Sequence, residues 1–540
     1  MQDEKLFRRL ACAVFAIVTV LIVLTFRHYG ITWDEELQSQ YGQAIVDYYL
    51  SGFKDQRYAE IYNLYLYGGM FDGLASLVDR FAPFTIFDTR LTVYDTRHLI
   101  NALFGLLGMW GTWRLGRFIG GVAVGFLALV LLALTPMYYG HMFNNPKDIP
   151  FAAGIVWAVY FMSKLYQRAG GAGQESDKKE TILKLGIILG LTLGIRVGGV
   201  MVLMFWVAAM ALPLMRVSYG KGRAAVINLF KKNVITAFCV GVLAYLVMLL
   251  CWPWTQHSPI FNPLEALNEF KHFPHNVEVL LNGTIYMSTQ LPWYYVPLYF
   301  SVQLPEFLLL LLVASFFLTP LLWRQMDKKR QPALLLLLMT TFVPILYAMF
   351  RHPSLYDAVR HFLFTVPLMC ILAALSGNFI YLWTIKQFRQ NWSKKYVASG
   401  LLMAFTICMT TQIIIMWQLH PYEYIYANQL TGGVPGAYGR YELDYWGTSF
   451  KEAADKIQDY VAKSGGVPPG KIYRIAICGP WDSAMIYLPP DYEPVVANEP
   501  AEFFLSTTRW MCQNMRPGKE IIRVERMGVP LSMVKDLRPN

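Results

Sequence analysis

Three acidic residues stand in a row where the first apolar stretch of the chain ends, in the segment "GITWDEELQSQYGQ" (residues 30–43). A carboxylate such as Asp34, Glu35 or Glu36 can act as a general base and take the proton of an attacking hydroxyl. The same segment fits a capping box, with Thr32 as the N-cap and Glu35 three residues later. Acids also suit the first turn of a helix. A structural role for Glu35 and Glu36 is therefore an equally good alternative.

Cations recur at comparable positions, each where an apolar stretch begins or is interrupted. They are Arg97 with His98, Lys147 followed by Asp148, Arg196, and Arg360 with His361. Charges near a bilayer are costly and mark function when they converge, although a single arginine is explained equally well by snorkelling to a lipid phosphate. Arginine binds phosphate oxygens in a bidentate way and is always charged. Acids and arginines at the same depth in the membrane indicate a site where an anionic, membrane-embedded substrate meets a base.

The composition predicts that membrane helices hold these residues in place. The chain has 540 residues, of which 55% are hydrophobic and only 15% are charged, and its mean hydropathy is +0.35. A soluble protein would have about 25% charged residues. Repeated apolar stretches of roughly 17–25 residues are typical of a polytopic α-helical membrane protein.

These stretches predict about eleven transmembrane helices. They lie near residues 10–26, 99–117, 119–138, 149–165, 182–195, 197–215, 234–252, 296–323, 332–350, 360–382 and 396–417. The fifth and sixth could also be read as one long stretch that Arg196 and two glycines interrupt.

The distribution of basic residues predicts the orientation. Basic clusters lie at residues 5–9, 114–117, 164–184, 216–232, 324–330 and 386–395, all on one side of the predicted bundle. The positive-inside rule makes that side, with the N-terminus, cytoplasmic. The net charge of +11 then reflects topology and not a nucleic-acid surface. Because no small-residue cleavage site follows the first apolar stretch, we expect a retained anchor and not a signal peptide.

An odd number of spans places the C-terminal tail outside. We expect a transmembrane domain over residues 1–417, with external loops 27–98, 139–148, 253–295 and 351–359, and a small external α/β domain over residues 418–540. Within the tail, "SFKEAADKIQDYVAKSG" predicts a helix that starts at Ser449 and ends at Gly465–Gly466. The segment 167–180 is typical of a flexible cytoplasmic linker.

Five of the seven cysteines lie in or beside predicted spans, where they serve as small apolar residues. Cys478 and Cys512 share the tail and could pair in an oxidising compartment, although the sequence does not fix their distance. No cysteine or histidine spacing predicts a structural zinc site.

Several segments, taken in order, resemble GT-C glycosyltransferases of the protein O-mannosyltransferase and aminoarabinose transferase group (family 39-like). They are "WDEELQSQYGQ", "RHLINALFGLLGMWGTWRLGRFIGG", "NNPKDIPFAA", "GLTLGIRVGG", "PWYYVPL" and "RHFLFTVPLMCILAAL". The resemblance covers roughly residues 10–382. The chain has Arg196 where relatives often have lysine, and residues 420–450 have no counterpart in the best-known members.

The resemblance implies an integral membrane enzyme of the bacterial inner membrane. Such an enzyme transfers a hexosyl or pentosyl unit from a polyprenyl-phosphate carrier to an acceptor hydroxyl on the external (periplasmic) face, with inversion. Lipid, glycan or protein acceptors all remain open. No strong general acid is needed, because the donor carries a phosphate leaving group.

The predicted site follows from that chemistry. Asp34 is the expected base, with Glu35 supporting it. Lys147 and Asp148 would shape the sugar site, and the cations together with the neighbouring histidines would bind the carrier phosphate; these are Arg97, His98, Arg196, Arg360 and His361. A divalent ion on Asp34, Glu35 and Asp148 is an optional cofactor, because related enzymes differ in metal use.

Other classes of protein fit the sequence less well. A transporter or flippase of lipid-linked glycans, the main alternative, would show repeats and mid-bilayer charges, and a receptor would not need so many arginines beside its spans. A glycoside hydrolase would need two carboxylates that flank the scissile bond, with access for water. The tail is expected to recognise the acceptor or cover the site.

Overall fold

The computed structural model describes residues 2–86, 88–169, 175–220, 222–270, 276–387 and 391–538. Its main body is a bundle of long helices, with helical structure at each of the predicted spans. The bounds are Gln2–Thr25, Val93–Gly120, Val122–Ala133 with Pro136–Asn144, Asp148–Ala169, Glu175–Leu193, Val200–Ala209 with Ala211–Gly220, Gly222–Cys251, Glu306–Gln325, Gln331–Arg351, Val366–Gln387 and Asn391–Leu419. The predicted linker 167–180 includes residues 170–174, which lie outside the described residues.

Eight of the described helices are long and apolar enough to cross a membrane, or nine if a bent pair counts as one span. The predicted fold class is confirmed: the chain is a polytopic helical membrane protein with a small C-terminal sheet. The predicted number of about eleven spans is higher, because it includes Val93–Gly120 and Glu175–Leu193. Val93–Gly120 carries polar residues such as Asn101 and Thr112, which are buried inside the bundle and make this helix less apolar.

Two predicted spans are interrupted at prolines. The span 296–323 is two helices, Tyr295–Gln303 and Glu306–Gln325. Pro305 has no N–H and disfavours helical backbone at Leu304, which is extended with ψ of 140°. The span 119–138 breaks before Pro136, where the chain bends by 66°. The helix that starts there is buried throughout.

The first loop joins Gln2–Thr25 to Val93–Gly120 and is mostly helical. It contains the helices Glu35–Leu50 and Met70–Phe81, the 3-10 turns Phe26–His28, Arg57–Ala59 and Leu64–Leu66, and the short strands Thr85–Ile86 and Thr89–Arg90.

The expectation that Thr32 is the N-cap is wrong. The helix begins at Glu35 with Asp34 as its N-cap, and Thr32 takes part only through its backbone. Its N–H donates to Glu35 Oε2 at 2.8 Å, and its carbonyl accepts from the Glu35 N–H at 3.1 Å.

Shorter elements complete the connections between the long helices. They are the helices Pro253–His257 and Phe261–Glu269, the hairpin of strands Glu278–Leu281 and Thr284–Met287, and the 3-10 turns Val197–Gly199 and Arg360–Thr365.

The chain after Leu419 forms an α/β structure around a mixed sheet of five strands. Its strands are Tyr473–Cys478, Tyr492–Val496, Phe503–Thr507, Lys519–Arg526 and Val529–Asp536, and its helices and turns are Glu423–Ile425, Gln429–Thr431, Gly433–Ala437, Phe450–Lys463, Asp482–Met485 and Arg509–Asn514. In chain order the strands lie across the sheet as second, first, third, fifth and fourth. The first three are parallel to one another, and the last two are antiparallel to their neighbours.

The predicted helix of the C-terminal part begins at Phe450 with Ser449 as its N-cap. The Gly466 N–H donates to the Val461 carbonyl and closes its end. Cys478 and Cys512 form a disulfide, with their Cα atoms 5.8 Å apart. This bond ties the segment Arg509–Asn514 to the end of the first strand.

The C-terminal part packs closely against the first loop. Gly30 shows how close the approach is, because a Cβ at this position would lie 2.2 Å from the backbone carbonyl oxygen of Thr448. The Ile31 N–H donates to the Tyr487 hydroxyl at 3.0 Å in the same contact. The first loop and the C-terminal part therefore fix each other's position.

We expect Gly30→Ala to lower the free energy of unfolding by about 1–3 kcal/mol, because backbone must move to admit the methyl group. Thermal unfolding of the purified protein in detergent measures this. Gly241→Ala is the matched control, because its Cβ would meet open space. Equal unfolding midpoints for the two variants would contradict the close packing.

Candidate active site

A cavity of about 340 Å³ lies where the first loop, the segment before residue 360 and the C-terminal part meet. Two of its cations lie directly before long helices: Lys147 precedes Asp148–Ala169, and Arg360 begins the 3-10 turn before Val366–Gln387. The first loop adds Asp34 and Tyr67, the segment before residue 360 adds Tyr356 and Asp357, and the C-terminal part adds Tyr445, Trp446, Arg509 and Trp510.

Asp34 is the carboxylate of this cavity that remains accessible. As the N-cap it sits just before the first turn of Glu35–Leu50, and its side chain makes no capping bond. The side chain is 49% exposed, and its Oδ2 lies 3.8 Å from Nη1 of Arg360. Asp34 is thus close to a cation and still open to a ligand, as a general base must be.

Arg360 is the buried cation of the cavity. Its side chain is 9% exposed, and its Nη2 lies 3.1 Å from Asp357 Oδ2. The guanidinium also lies 4.8 Å from the ring centroid of Tyr356 and 5.5 Å from that of Trp446. Arg360 is therefore held in one place by an acid and by aromatic rings.

Lys147 brings a second cation to the same cavity. Its Nζ lies 4.0 Å from the ring centroid of Tyr67. Burial lowers the pKa of Lys147 to about 8, and the positive charges of Arg196 and Arg360 act in the same direction. Asp34 and Asp72 oppose this shift. An anion bound in the cavity would stabilise the protonated form of Lys147.

Asp148 and Arg196 form a pair beside Lys147. Asp148 is buried, and its Oδ1 lies 2.7 Å from Nη2 of Arg196. The Asn145 side chain donates to Asp148 Oδ2 at 2.9 Å and accepts from the Asp148 N–H at 3.0 Å. Neither Asp148 nor Arg196 lines the 340 Å³ cavity, but both hold the segment that presents Lys147.

The remaining predicted residues do not line the cavity. Glu35 is buried, and its carboxylate lies 3.2 Å from Nε2 of His98. Arg97 is buried as well, and its Nη2 lies 2.6 Å from Oδ1 of Asp72. His361 packs edge-on against Tyr356 with ring centroids 5.0 Å apart. The substrate roles of these residues stay predictions.

The optional metal site is not assembled from the predicted ligands. Among the described residues, no group of three or more His, Cys, Asp or Glu side chains could hold a metal ion. Glu35 faces His98 and Asp148 faces Arg196, so the oxygens of Asp34, Glu35 and Asp148 do not converge. We therefore assign no chemical step to a metal.

The sequence did not indicate that Arg509 belongs to the site. Its Nη2 lies 3.0 Å from Asp357 Oδ1 and 3.1 Å from Glu442 Oε1. Asp357 therefore lies between two arginines, one from the membrane bundle and one from the C-terminal part. We call the series Asp34, Arg360, Asp357, Arg509 and Glu442 the charge ladder.

Glu442, at the end of the charge ladder, has an unusual environment. Burial raises the pKa of Glu442 to about 7, and the negative charge of Asp357 adds to the shift while Arg509 opposes it. Its Oε2 is buried and has no hydrogen-bond partner among the described residues. This oxygen can accept a hydrogen bond from a ligand.

The cavity combines one accessible carboxylate, three cations (Lys147, Arg360 and Arg509) and several aromatic walls. The carboxylate can accept a proton, the cations can hold an anionic leaving group, and the aromatic rings can stack on the ligand. These are the groups that displacement of a phosphate by a hydroxyl requires.

We expect Arg97→Ala to lower the free energy of unfolding by about 3–5 kcal/mol, because it leaves the buried Asp72 carboxylate without its partner. The matched control is Arg80→Ala, since the Arg80–Asp47 pair is 52% and 30% exposed and such pairs contribute about 0–1 kcal/mol. Thermal unfolding compares the two variants. A fully stable Arg97→Ala protein would argue instead for the predicted role at the carrier phosphate.

Comparison with known proteins adds to this geometry. The family model described as dolichyl-phosphate-mannose-protein mannosyltransferase matches residues 94–254. That range includes Lys147, Asp148 and Arg196 but neither Asp34 nor Arg360. A search of the curated proteins finds no match.

Solved structures also match the chain. The apo structure of ArnT from Cupriavidus metallidurans is 13% identical, with 97% of each chain covered and a TM-score of 0.46. The oligosaccharyltransferase of Archaeoglobus fulgidus in the apo form is 13% identical, with a TM-score of 0.52 over 91% of this chain and 65% of that one. AglB from the same organism, in complex with an inhibitory peptide and a dolichol-phosphate, is 12% identical, with a TM-score of 0.50 over 92% and 69%. The chain therefore shares its fold with the archaeal oligosaccharyltransferase, and its residues 94–254 are similar to the mannosyltransferase family.

Proposed function

We propose that the chain transfers a sugar from a polyprenyl-phosphate carrier to an acceptor hydroxyl on the external face of the bacterial inner membrane, with inversion. The observation that carries this proposal is the 340 Å³ cavity, in which accessible Asp34 lies 3.8 Å from buried Arg360. The name of the matching family, which refers to a dolichyl-phosphate-linked sugar, supports the class of donor.

The reaction needs one base. The acceptor oxygen attacks the anomeric carbon, the bond from that carbon to the phosphate oxygen breaks, and its electrons leave with the phosphate. Asp34 takes the proton of the acceptor hydroxyl as the new bond forms. Because the acceptor attacks from the face opposite the leaving phosphate in a single displacement, the anomeric configuration inverts.

The cations stabilise the charge that develops on the departing phosphate. Arg360 is held by Asp357 before any ligand arrives, so it does not need to reorganise during the reaction. Lys147, which lines the same cavity, adds a second charge. Arg196 does not line the cavity. It acts indirectly, through its ion pair with Asp148, the residue that follows Lys147.

The external orientation rests on the basic residues at the other end of the bundle. Arg114 and Arg117 lie near the end of Val93–Gly120 that is far from Arg97. By the positive-inside rule that end is cytoplasmic, so the cavity and the C-terminal part are external. The inner membrane is the compartment we propose because the carrier is a membrane lipid and Cys478 and Cys512 are oxidised.

The direct test uses the purified protein in nanodiscs with a synthetic polyprenyl-phosphate sugar and an extract of cell-envelope material as the source of acceptor. Release of free polyprenyl phosphate, together with appearance of the labelled sugar on the acceptor, is the expected result. The alternative, a flippase, would move the lipid-linked sugar across a bilayer without breaking its bond to phosphate. That outcome would overturn the proposal.

We expect Asp34→Asn to reduce turnover by about 10²–10⁴-fold, because the amide keeps the shape of the side chain but cannot accept the proton. Donor binding and thermal stability should change little. Asp47→Asn, on the same helix but paired with Arg57 and Arg80 outside the cavity, should keep full activity. Near-normal turnover in the Asp34 variant would show that another group is the base.

Lys147 predicts the pH dependence of donor use. Since the pKa of Lys147 is lowered to about 8, its ammonium loses its proton as the pH rises through that value. We therefore expect kcat/KM for the donor to fall by about tenfold per pH unit above pH 8. Lys147→Arg should remove this decline, because arginine stays charged. If both proteins lose activity equally above pH 8, a different group is responsible.

A further inference from the structure

A second cavity, of about 360 Å³, lies on the other side of Arg509 and Trp510 from the first. Its walls come from the hairpin Glu278–Met287, from residues 438–444 and from residues 508–514. Arg509 and Trp510 line both cavities and form the wall between them. Its volume is at the lower end of the range of about 300–1,000 Å³ that encloses small ligands.

The polar wall of this cavity offers hydrogen-bond acceptors that have no donor. Glu442 Oε2 and Gln513 Oε1 are buried and have no partner among the described residues. Asp444, in contrast, is satisfied by the N–H groups of Thr448 at 3.0 Å and Ser449 at 3.1 Å. Since a buried acceptor without a donor is costly, Glu442 and Gln513 are the groups that a ligand would satisfy.

The charge of the cavity excludes an anionic ligand. Among the described residues that line it, Glu278, Glu442 and Asp444 face one cation, Arg509, which is already paired with Glu442 and Asp357. A phosphate or carboxylate would meet these acids without a free cation to offset them. A ligand with many hydroxyl donors and no charge fits best.

The aromatic wall is held by strained backbone. Trp510 and Met511 have φ values of 54° and 53°, in the left-handed region that non-glycine residues seldom adopt. The disulfide from Cys512 to Cys478 anchors the next residue. Trp510 remains 41% exposed, and its indole ring lies 6.0 Å from that of Trp33, the residue before Asp34. Strain of this kind is kept where a side chain must be presented.

We propose that the second cavity binds an uncharged, hydroxyl-rich saccharide unit of the acceptor. Glu442 and Gln513 accept hydrogen bonds from its hydroxyls, and Trp510 offers a ring face for stacking. The wall of Arg509 and Trp510 then directs the reacting hydroxyl towards Asp34. This inference rests on the proposed function, because it assigns the acceptor of that reaction.

The occupied edge of the hairpin favours a saccharide over an extended peptide. A peptide would add to the free edge of a strand. On the hairpin, Leu281 is already bridged to Tyr441, and the Gly283 N–H donates to the Arg440 carbonyl. These contacts occupy the edge of the hairpin that residues 438–444 approach.

Saturation-transfer NMR on the full chain in nanodiscs tests the inference. The probes are a panel of neutral disaccharides with gluco, galacto and manno configurations, glucose 6-phosphate, and a short threonine-containing peptide. We expect saturation transfer to at least one neutral disaccharide and none to the sugar phosphate. Transfer only to the peptide, or to none of the probes, would overturn the inference.

Variants locate the binding. Trp510→Ala should weaken disaccharide binding by about tenfold or more, and Trp510→Phe should keep most of it because the ring face remains. Glu442→Gln should weaken disaccharide binding by about tenfold, because one of the two acceptor oxygens of the carboxylate is replaced by an NH₂ group, which donates. Trp481→Ala is the matched control, because Trp481 is 39% exposed but lies outside both cavities. Equal binding by the Trp481 and Trp510 alanine variants would overturn the inference.

A variant of the second cavity separates this inference from the proposed function. Binding of polyprenyl phosphate, measured by native mass spectrometry, should be equal in the wild type and in Gln513→Ala, because Gln513 lines the second cavity but not the first. If the wild type binds the disaccharide but not the polyprenyl phosphate, the donor assignment fails and the saccharide cavity stands. If it binds only polyprenyl phosphate, the cavity assignment fails and the donor assignment stands.

Discussion

The site depends on Asp357, a buried carboxylate that is shared by two arginines. Its Oδ2 lies 3.1 Å from Arg360 of the membrane bundle, and its Oδ1 lies 3.0 Å from Arg509 of the C-terminal part. Removing one member of such a set leaves an uncompensated charge in the interior, at a cost of about 3–5 kcal/mol. The charge ladder therefore fixes Arg360 beside Asp34 and at the same time fastens the C-terminal part over the cavity.

This arrangement makes the C-terminal part a wall of the reaction site. Tyr445, Trp446 and Trp510 line the same cavity as Lys147 and Arg360, and the packing of Gly30 against Thr448 holds this wall against the first loop. Removing the whole C-terminal part would expose Arg360 and Asp357 to solvent. Effects of such a deletion would then combine loss of the proposed saccharide cavity with damage to the proposed donor site.

Much of the fold could be predicted because hydropathy is a local property. The apolar stretches place the long helices, and the breaks before Pro136 and Pro305 are local as well, although hydropathy averaging hides them. The site was harder to predict. Asp34 and Glu35 are neighbours in sequence, but the N-cap directs Asp34 to the cavity while the first helical turn directs Glu35 to His98. The sequence pattern alone does not show which of these two carboxylates faces the cavity.

The partners of the predicted cations had no signal in the sequence. Asp72 lies 25 residues before Arg97, and Arg509 reaches Asp357 from the far end of the chain. Pairs of this kind are set by tertiary packing and not by spacing along a helix or strand. The predicted association of Asp34, Lys147 and Arg360 relied on one assumption, that charges at the same helix ends share one depth, and these three side chains do line one cavity.

The central claim is that the cavity beside Asp34 receives the phosphate of the carrier. A cryo-electron microscopy structure of the full chain in nanodiscs with polyprenyl monophosphate would test it most directly. We expect phosphate density within hydrogen-bond distance of the Arg360 guanidinium and near the Lys147 ammonium, with the lipid chain leaving towards the membrane helices. Phosphate density elsewhere, with Arg360 still bound only to Asp357 and Asp34, would contradict it.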